Sequence, residues 1–191
     1  MKRSTERILT THTGSLPRPQ EVVDLLLAQE EGGVDSDAFD AAVARAIEDV
    51  VEKQAAAGID VINDGEQGRP DYTSHVKHRL TGYDGPSSPP LGTGEEGFPE
   101  LSEILSQFAS PLQNRPACSG PVDWKDWPAA QVDIERAKSV LGRADVEEAF
   151  MTSPSPGQIS RYLRNLYYES EEEYIFALAD VMRREYEAIV D

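Results

Sequence analysis

The chain is poor in the residues that bind metals and form covalent cross-links: one cysteine, Cys118, and three histidines, His12, His75 and His78, in 191 residues. A single thiol excludes an intrachain disulfide and any multi-thiolate metal site built from this chain alone, and it suits a reducing compartment. Basic residues are scarce as well, 18 Lys and Arg against 35 Asp and Glu, for a formal charge of -17. That balance removes the electrostatic footing for nucleic acid or an anionic membrane. The acidic residues fall in short clusters such as Glu147-Glu148 and Glu171-Glu172-Glu173, which read as solvated helix faces and first turns. No apolar run approaches membrane-spanning length, and Ile8-Leu9 behind the charged N-terminus is too brief for a signal-peptide core. The expectation is a cytoplasmic protein with neither membrane nor nucleic-acid partner. Neither a Walker-type loop nor a GxGxxG fingerprint occurs, so nucleotide binding has no specific support.

What the sequence does have is an alternation of short apolar strands with amphipathic helices. Arg7 to Thr13 is β-branched and apolar and ends at Gly14-Ser15-Leu16-Pro17, the pattern of a strand entering a loop. Gln20 to Glu31 reads as a helix stopped by Gly32-Gly33. Asp35 or Ser36 caps a second helix, with Phe39, Val43, Ile47, Val50 and Val51 at helical spacing and Gly58 as its stop. Ile59 to Glu66 is the second strand pattern. Residues 70 to 127 break this rhythm with prolines and glycines and read as an insertion, with strand-like pieces at Val76 to Tyr83 and Pro116 to Trp124. A helix over Ala129 to Leu141, carrying Val132, Ala137, Val140 and Leu141, and a third strand over Glu147 to Thr152 resume the alternation. The last helix has Ser170 and Glu173 at capping-box spacing and an apolar stripe of Ile175, Leu178, Met182, Tyr186 and Ile189. Such βα units make an α/β fold whose parallel strands all end on one side, so the loops after Thr13 and Asp64 are expected at the same mouth.

Four places can carry chemistry. Gly14 and Ser15, just after a strand, offer backbone N–H groups and a hydroxyl to a carboxylate or phosphate, or they form an ordinary turn. In Asp64-Gly65-Glu66-Gln67-Gly68-Arg69, an acid can hold an ammonium or act as a base. Arg69 can pair with Glu66 or with a ligand carboxylate, and the alternative is a structural salt bridge beside a turn. His75 and His78 share a helix-like spacing without a further ligand nearby and read as exposed or packing residues, and Cys118, with no sequence-local base, reads as a buried small residue. Asp123, Trp124, Asp126 and Trp127 read as an aromatic-acidic surface turn. Ser153 to Gly157 is either a proline-stiffened turn or a loop whose following helix attracts an anion.

Taken in order, THTGSLPRP after the first strand, DGEQGR after the second, HRLTGYDG, and SPSPG followed by NLYYESEEEYIFALADVMRREYEAIVD resemble the cobalamin-independent methionine synthase family. Its shorter single-barrel relatives, methyltransferase-like or epoxyalkane:coenzyme M transferase-like, are the nearer likeness, because His12 departs from the methionine synthases proper. The resemblance implies a (β/α)8 TIM barrel. This chain would be its N-terminal part, residues 1–191, holding the first three strands and their helices plus the Pro/Gly-rich insertion at about 70–127.

The activity implied is that of a 5-methyltetrahydropteroyltriglutamate-homocysteine methyltransferase in methionine biosynthesis. A methyl group would pass from methyltetrahydrofolate to the thiol of homocysteine, which zinc holds as thiolate. By the same resemblance His12, Gly14, Ser15, Glu66 and Arg69 are substrate-binding residues. Gly14 and Ser15 would hold the amino-acid carboxylate and Glu66 its ammonium. The family's zinc ligands have no counterpart here, which implies a fragment, inactive alone and prone to self-association through an open sheet edge. Alkyl transfer to another thiol, a uroporphyrinogen-decarboxylase-like activity and an inactive half-barrel stand as alternatives.

Overall fold

The computed structural model describes residues 2–73, 75–87, 98, 100–101, 104 and 115–191. The chain divides into two units, Met1–Tyr72 with Pro128–Ser153 and Thr73–Trp127 with Pro154–Asp191.

In the first unit, helix α1 spans Gln20–Glu30 and α2 spans Ser36–Ala56. Asp35 is the residue that caps α2, its Oδ1 accepting from the N–H groups of Asp37 and Ala38 at 3.0 and 3.1 Å. The buried face of α2 is Phe39, Ala42, Val43, Ala46, Ile47, Val50, Val51 and Gln54, an i, i+3, i+4, i+7 stripe that needs an apolar layer to pack on. Gly58, at φ +76°, ends the helix as expected, and the Ile59 N–H reaches back to the Gln54 carbonyl at 3.1 Å. Strand β1, Val61–Ile62, follows at once. The buried Gln54 side chain fixes this junction: its Nε2 donates to the Asn63 carbonyl at 2.8 Å and its Oε1 accepts from the Asn63 N–H at 3.2 Å.

Three parallel segments lie side by side in sequence order. Thr11 forms a parallel bridge to Val61, and Val61 and Ile62 pair in parallel with Glu148 and Ala149 of a later strand. The segment Arg7 to Thr13 is therefore a single bridge and not the regular strand its composition suggests. The reason is competition by Asp60, whose carboxylate takes the Thr10 N–H at 2.8 Å and the Arg7 guanidinium at 2.5 Å, so that side-chain hydrogen bonds replace a ladder.

Helix α3 spans Val76–Arg79 and α4 spans Trp127–Leu141, and the later strand is β2, Glu148–Ala149. The sequence marks Val76 to Tyr83 as strand-like, but the structure makes a one-turn helix there, followed by an isolated bridge from Leu80 to Trp124. A four-residue element is too short for either periodicity to declare itself. On α4 the inward face is Ala130, Ile134, Ala137 and Leu141, while Val132 is exposed.

The second unit is closed by α5, Pro156–Tyr162, and α6, Glu171–Val190. Within the 70–127 stretch, described residues between Val76 and Trp124 share one core with these helices. That core includes Val76, Leu80, Tyr83, Cys118, Val122, Ile159, Leu163, Tyr174, Leu178 and Met182. Tyr174, outside the expected stripe of α6, is fully buried, and its hydroxyl donates to the Leu163 carbonyl at 2.9 Å while lying 3.0 Å from the Tyr83 hydroxyl. Burial pushes both phenols well above the usual tyrosine range, so they stay neutral. Trp124 is not a free surface residue: it packs on this core and donates from Nε1 to the Val181 carbonyl at 2.9 Å. Among the described residues, no helix is long and apolar enough to cross a membrane.

Candidate functional site

Because the three segments around β1 are parallel, the loops that leave them emerge at the same end. The loop after Thr11 turns at Gly14, which adopts φ +78°. A side chain there would be strained, which is the physical reason for glycine at this position. The loop after β1 begins with a pair of Asx-type turns, Asn63 Oδ1 accepting from the Gly65 N–H at 2.7 Å and Asp64 Oδ1 from the Glu66 N–H at 3.0 Å. These turns drive Gly65 to φ +64° and Glu66 to φ +54°; among the described residues Glu66 is the non-glycine residue at positive φ. A non-glycine residue held in the left-handed region is an outlier that the surroundings must enforce. Gln67 helps to enforce it, its Nε2 lying 3.2 Å from the Leu16 carbonyl and 3.3 Å from that of Gly65, while the Leu16 N–H donates to the Gly65 carbonyl at 3.0 Å.

The turn places the Glu66 carboxylate, with no exposed surface, between two hydroxyls. Ser15 donates to Oε2 at 2.5 Å and Thr152, just beyond β2, donates to Oε1 at 2.9 Å. A buried carboxylate is costly unless paired and hydrogen-bonded, and two arginines complete the arrangement. Arg18 Nη2 donates to the carbonyls of Glu66 and Arg69 at 2.9 and 2.8 Å and lies 3.5 Å from Ser15 Oγ. Arg69 Nη1 donates to the Thr152 carbonyl at 2.7 Å and to its Oγ1 at 3.2 Å, and Nη2 sits 3.8 Å from Asp64 Oδ2. Asp64 thus faces the Arg69 guanidinium, and the Glu66 carboxylate is met by the two hydroxyls. Burial pulls the Arg18 guanidinium below the usual arginine range, opposed by the charges of Glu66, Asp71 and Asp64. Arg18 Nε, Gln67 Oε1 and Arg69 Nη2 are buried without a hydrogen-bond partner.

Of the residues singled out from the sequence, Ser15, Glu66 and Arg69 come together, and Gly14 shapes the loop that carries Ser15. His12 reaches the second loop through its backbone carbonyl, which accepts from Asn63 Nδ2 at 3.3 Å. His12 lines a depression with Leu16, Pro17, Asp49, Val50, Lys53 and Gln54. Thr152 and Arg18 join the cluster without having stood out in the sequence. The usable signal was positional: Thr152 ends the third parallel segment, one residue before the SPSPG loop that drew attention instead. In that loop Ser155 Oγ accepts from the Gln158 N–H at 3.2 Å and Pro156 is the first helical residue, so the loop is a capped turn.

His75 and His78 lie in the second unit, at the start of α3 and within it. Cys118 is fully buried, donates to the Gly120 carbonyl at 3.2 Å, and has its thiol pushed up by burial. No group of three or more His, Cys, Asp or Glu able to hold a metal ion occurs among the described residues.

Parallel strands feeding loops define an α/β protein with a polar cluster, the candidate site, at the carboxyl ends of the strands. The N-terminal region, residues 8–86, matches the family described as cobalamin-independent synthase, catalytic domain, and this confirms the resemblance to the cobalamin-independent methionine synthases. Among curated proteins the chain is 25% identical over 182 residues to a methionine synthase of Sulfolobus acidocaldarius, a span of 95% of this chain and 48% of that protein. It is 28% identical over 148 residues to a 5-methyltetrahydropteroyltriglutamate-homocysteine methyltransferase of Aeromonas salmonicida, covering 69% of this chain and 20% of that protein. In fold it is similar to a B12-independent methionine synthase from Shewanella sp., with a TM-score of 0.63 and 20% identity over 94% of this chain and 47% of that one. The chain therefore spans half or less of the length of these relatives.

Proposed function

We propose that this chain is the N-terminal portion of a partial (β/α)8 barrel of the methionine synthase type, acting in the cytoplasm. Its part in the reaction is to grip the amino-acid end of homocysteine. The observation that carries the reading is the buried Glu66 carboxylate, set at positive φ between Ser15 and Thr152. A carboxylate with two lone pairs on each oxygen, one per oxygen already used, has acceptors left for an ammonium. Ser15, exposed at the rim, is the partner a ligand can displace. An incoming ammonium takes its place on Glu66 Oε2, and the freed hydroxyl, with the N–H groups around Gly14, turns to the ligand's carboxylate. Arg18 Nε, a buried donor without a hydrogen-bond partner, favours a site that takes an anion.

Zinc, which the family resemblance implies, does not fit the described residues, since one buried thiol and scattered histidines supply no ligand set. The assigned role is therefore capture and orientation, and methyl transfer from a folate donor belongs to a protein that adds metal ligands to this site. The same lack of ligands among the described residues favours a second reading, a binding module that is not catalytic by itself.

Calorimetric titration of the 191-residue chain with L-homocysteine and with its desamino analogue 4-mercaptobutyrate tests capture. Binding of homocysteine is expected, and weakening by roughly 10- to 100-fold for the analogue or for Glu66→Gln, the size of a lost charged hydrogen bond. Equal affinity of Glu66→Gln and the parent would sink the assignment. Homocysteine-dependent methyl transfer by the gene product with zinc and methyltetrahydropteroylglutamate then separates the two readings.

A further inference from the structure

The two oxygens of Glu66 are held unequally. On Oε1, Thr152 is half-buried and its own oxygen accepts from Arg69 Nη1 at 3.2 Å, while the same nitrogen donates to the Thr152 carbonyl at 2.7 Å. Arg69 is 5% exposed. A hydroxyl has one proton, and with Arg69 donating to one lone pair the proton is directed to the acceptor at hand, Glu66 Oε1 at 2.9 Å. On Oε2, Ser15 is exposed, and its oxygen meets Arg18 Nη2 at the long distance of 3.5 Å. One arm is a fixed chain from a buried guanidinium through hydroxyl to carboxylate, and the other is a short contact, 2.5 Å, from a hydroxyl that lies exposed at the rim, where a ligand can exchange it.

We infer that Thr152 is the positioning residue of the site: aimed by Arg69, it anchors Glu66 through Oε1 so that Oε2 is the face offered to a ligand ammonium, with Ser15 as the exchangeable partner. The inference rests on the capture reading above and adds the division of labour between the two hydroxyls. It also explains how a carboxylate on a strained loop residue keeps one orientation. Its side chain is tied to the end of a different parallel segment, 86 residues away in sequence.

The 191-residue chain and its variants are to be titrated with L-homocysteine and with 3-aminopropane-1-thiol, which keeps the ammonium and lacks the carboxylate. Thr152→Val, nearly isosteric, is expected to weaken both ligands by at least about tenfold. Thr152→Ser is expected to restore both to within about threefold of the parent, because the hydroxyl returns. Ser15→Ala is expected to weaken homocysteine but not 3-aminopropane-1-thiol, since that ligand only displaces Ser15. Parent-like binding by Thr152→Val overturns the inference, as does failure of Thr152→Ser to rescue. So does an equal loss of the amine-only ligand in Ser15→Ala and Thr152→Val. Should Thr152→Val not fold, Arg69→Met, which leaves the Thr152 proton free to turn away, is expected to weaken 3-aminopropane-1-thiol more than Ser15→Ala does, and the reverse order overturns the inference. If the parent binds neither ligand, or Glu66→Gln binds homocysteine as the parent does, it is the capture reading that falls.

Discussion

At the scale of single residues the site depends on backbone conformations that few side chains accept. Gly65 sits at φ +64°, and a methyl group there would lie 3.0 Å from Gln67 Nε2, 3.1 Å from Leu16 Cβ and 3.3 Å from Val50 Cγ1. Both conformation and space therefore oppose a larger residue. Gly65→Ala is expected to cost roughly 1–3 kcal/mol in urea denaturation and to weaken homocysteine binding, because Glu66 is the next residue on the strained turn. Gly14 also has positive φ, but a methyl group there would meet nothing within 4 Å, so only the conformational part applies. The paired glycine-then-acid turn could be read from DGEQGR, and the glycine-serine turn from THTGSLPRP. Arg18 could not: it lies between two prolines, where sequence suggests rigid chain, and its role comes from reaching the carbonyls of Glu66 and Arg69 across the fold. Thr152 could not either, since one threonine at a strand end has no chemical signature until its partners are in place.

At the scale of elements, legibility followed length. Helices of eleven residues or more, α1, α2, α4 and α6, announce themselves by spacing and caps, because each repeats its apolar face over several turns. The α6 cap shows the limit: Ser170 Oγ accepts from the Glu173 N–H at 3.1 Å, but the Glu173 carboxylate reaches the N–H of Glu169, one residue before the cap. Strands of two residues leave almost no pattern, and their register is set by partners distant in sequence. For α2 the local signal has a direct test. Asp35 supplies two of the hydrogen bonds that the first turn lacks, so Asp35→Ala is expected to lower stability by about 1 kcal/mol, and Asp35→Asn by less, in denaturant titrations monitored by far-UV circular dichroism. No loss in the alanine variant would mean that packing alone holds the helix start.

For the whole molecule, charge decides how stability depends on pH. With a formal charge of -17 the folded chain repels itself at neutral pH, and partial protonation toward pH 5 relieves that repulsion. A cluster of ion pairs acts in the opposite direction at lower pH. Arg7 joins Asp60 at 2.5 Å and Glu147 at 3.3 Å, and Lys2 joins Glu147 at 2.8 Å, linking the N-terminal segment to the starts of β1 and β2. Hydrogen bonds from Arg7 and from Thr10 hold the Asp60 carboxyl well below its ordinary 3.8, and Lys2 holds Glu147 and Glu148 below their ordinary 4.5. A carboxyl whose folded value is depressed contributes stability that is complete above its unfolded value and is lost as pH falls toward the folded one. The urea midpoint is therefore expected to be flat or slightly rising from pH 7 to about 5, and to fall below about 4, where the unfolded chain takes up protons that the folded carboxylates refuse. Asp60→Asn removes the strongest of these groups. It should lower the midpoint at pH 7 and flatten the decline below pH 4, and a variant with the parent's full acid slope would show that the loss arises elsewhere in the chain.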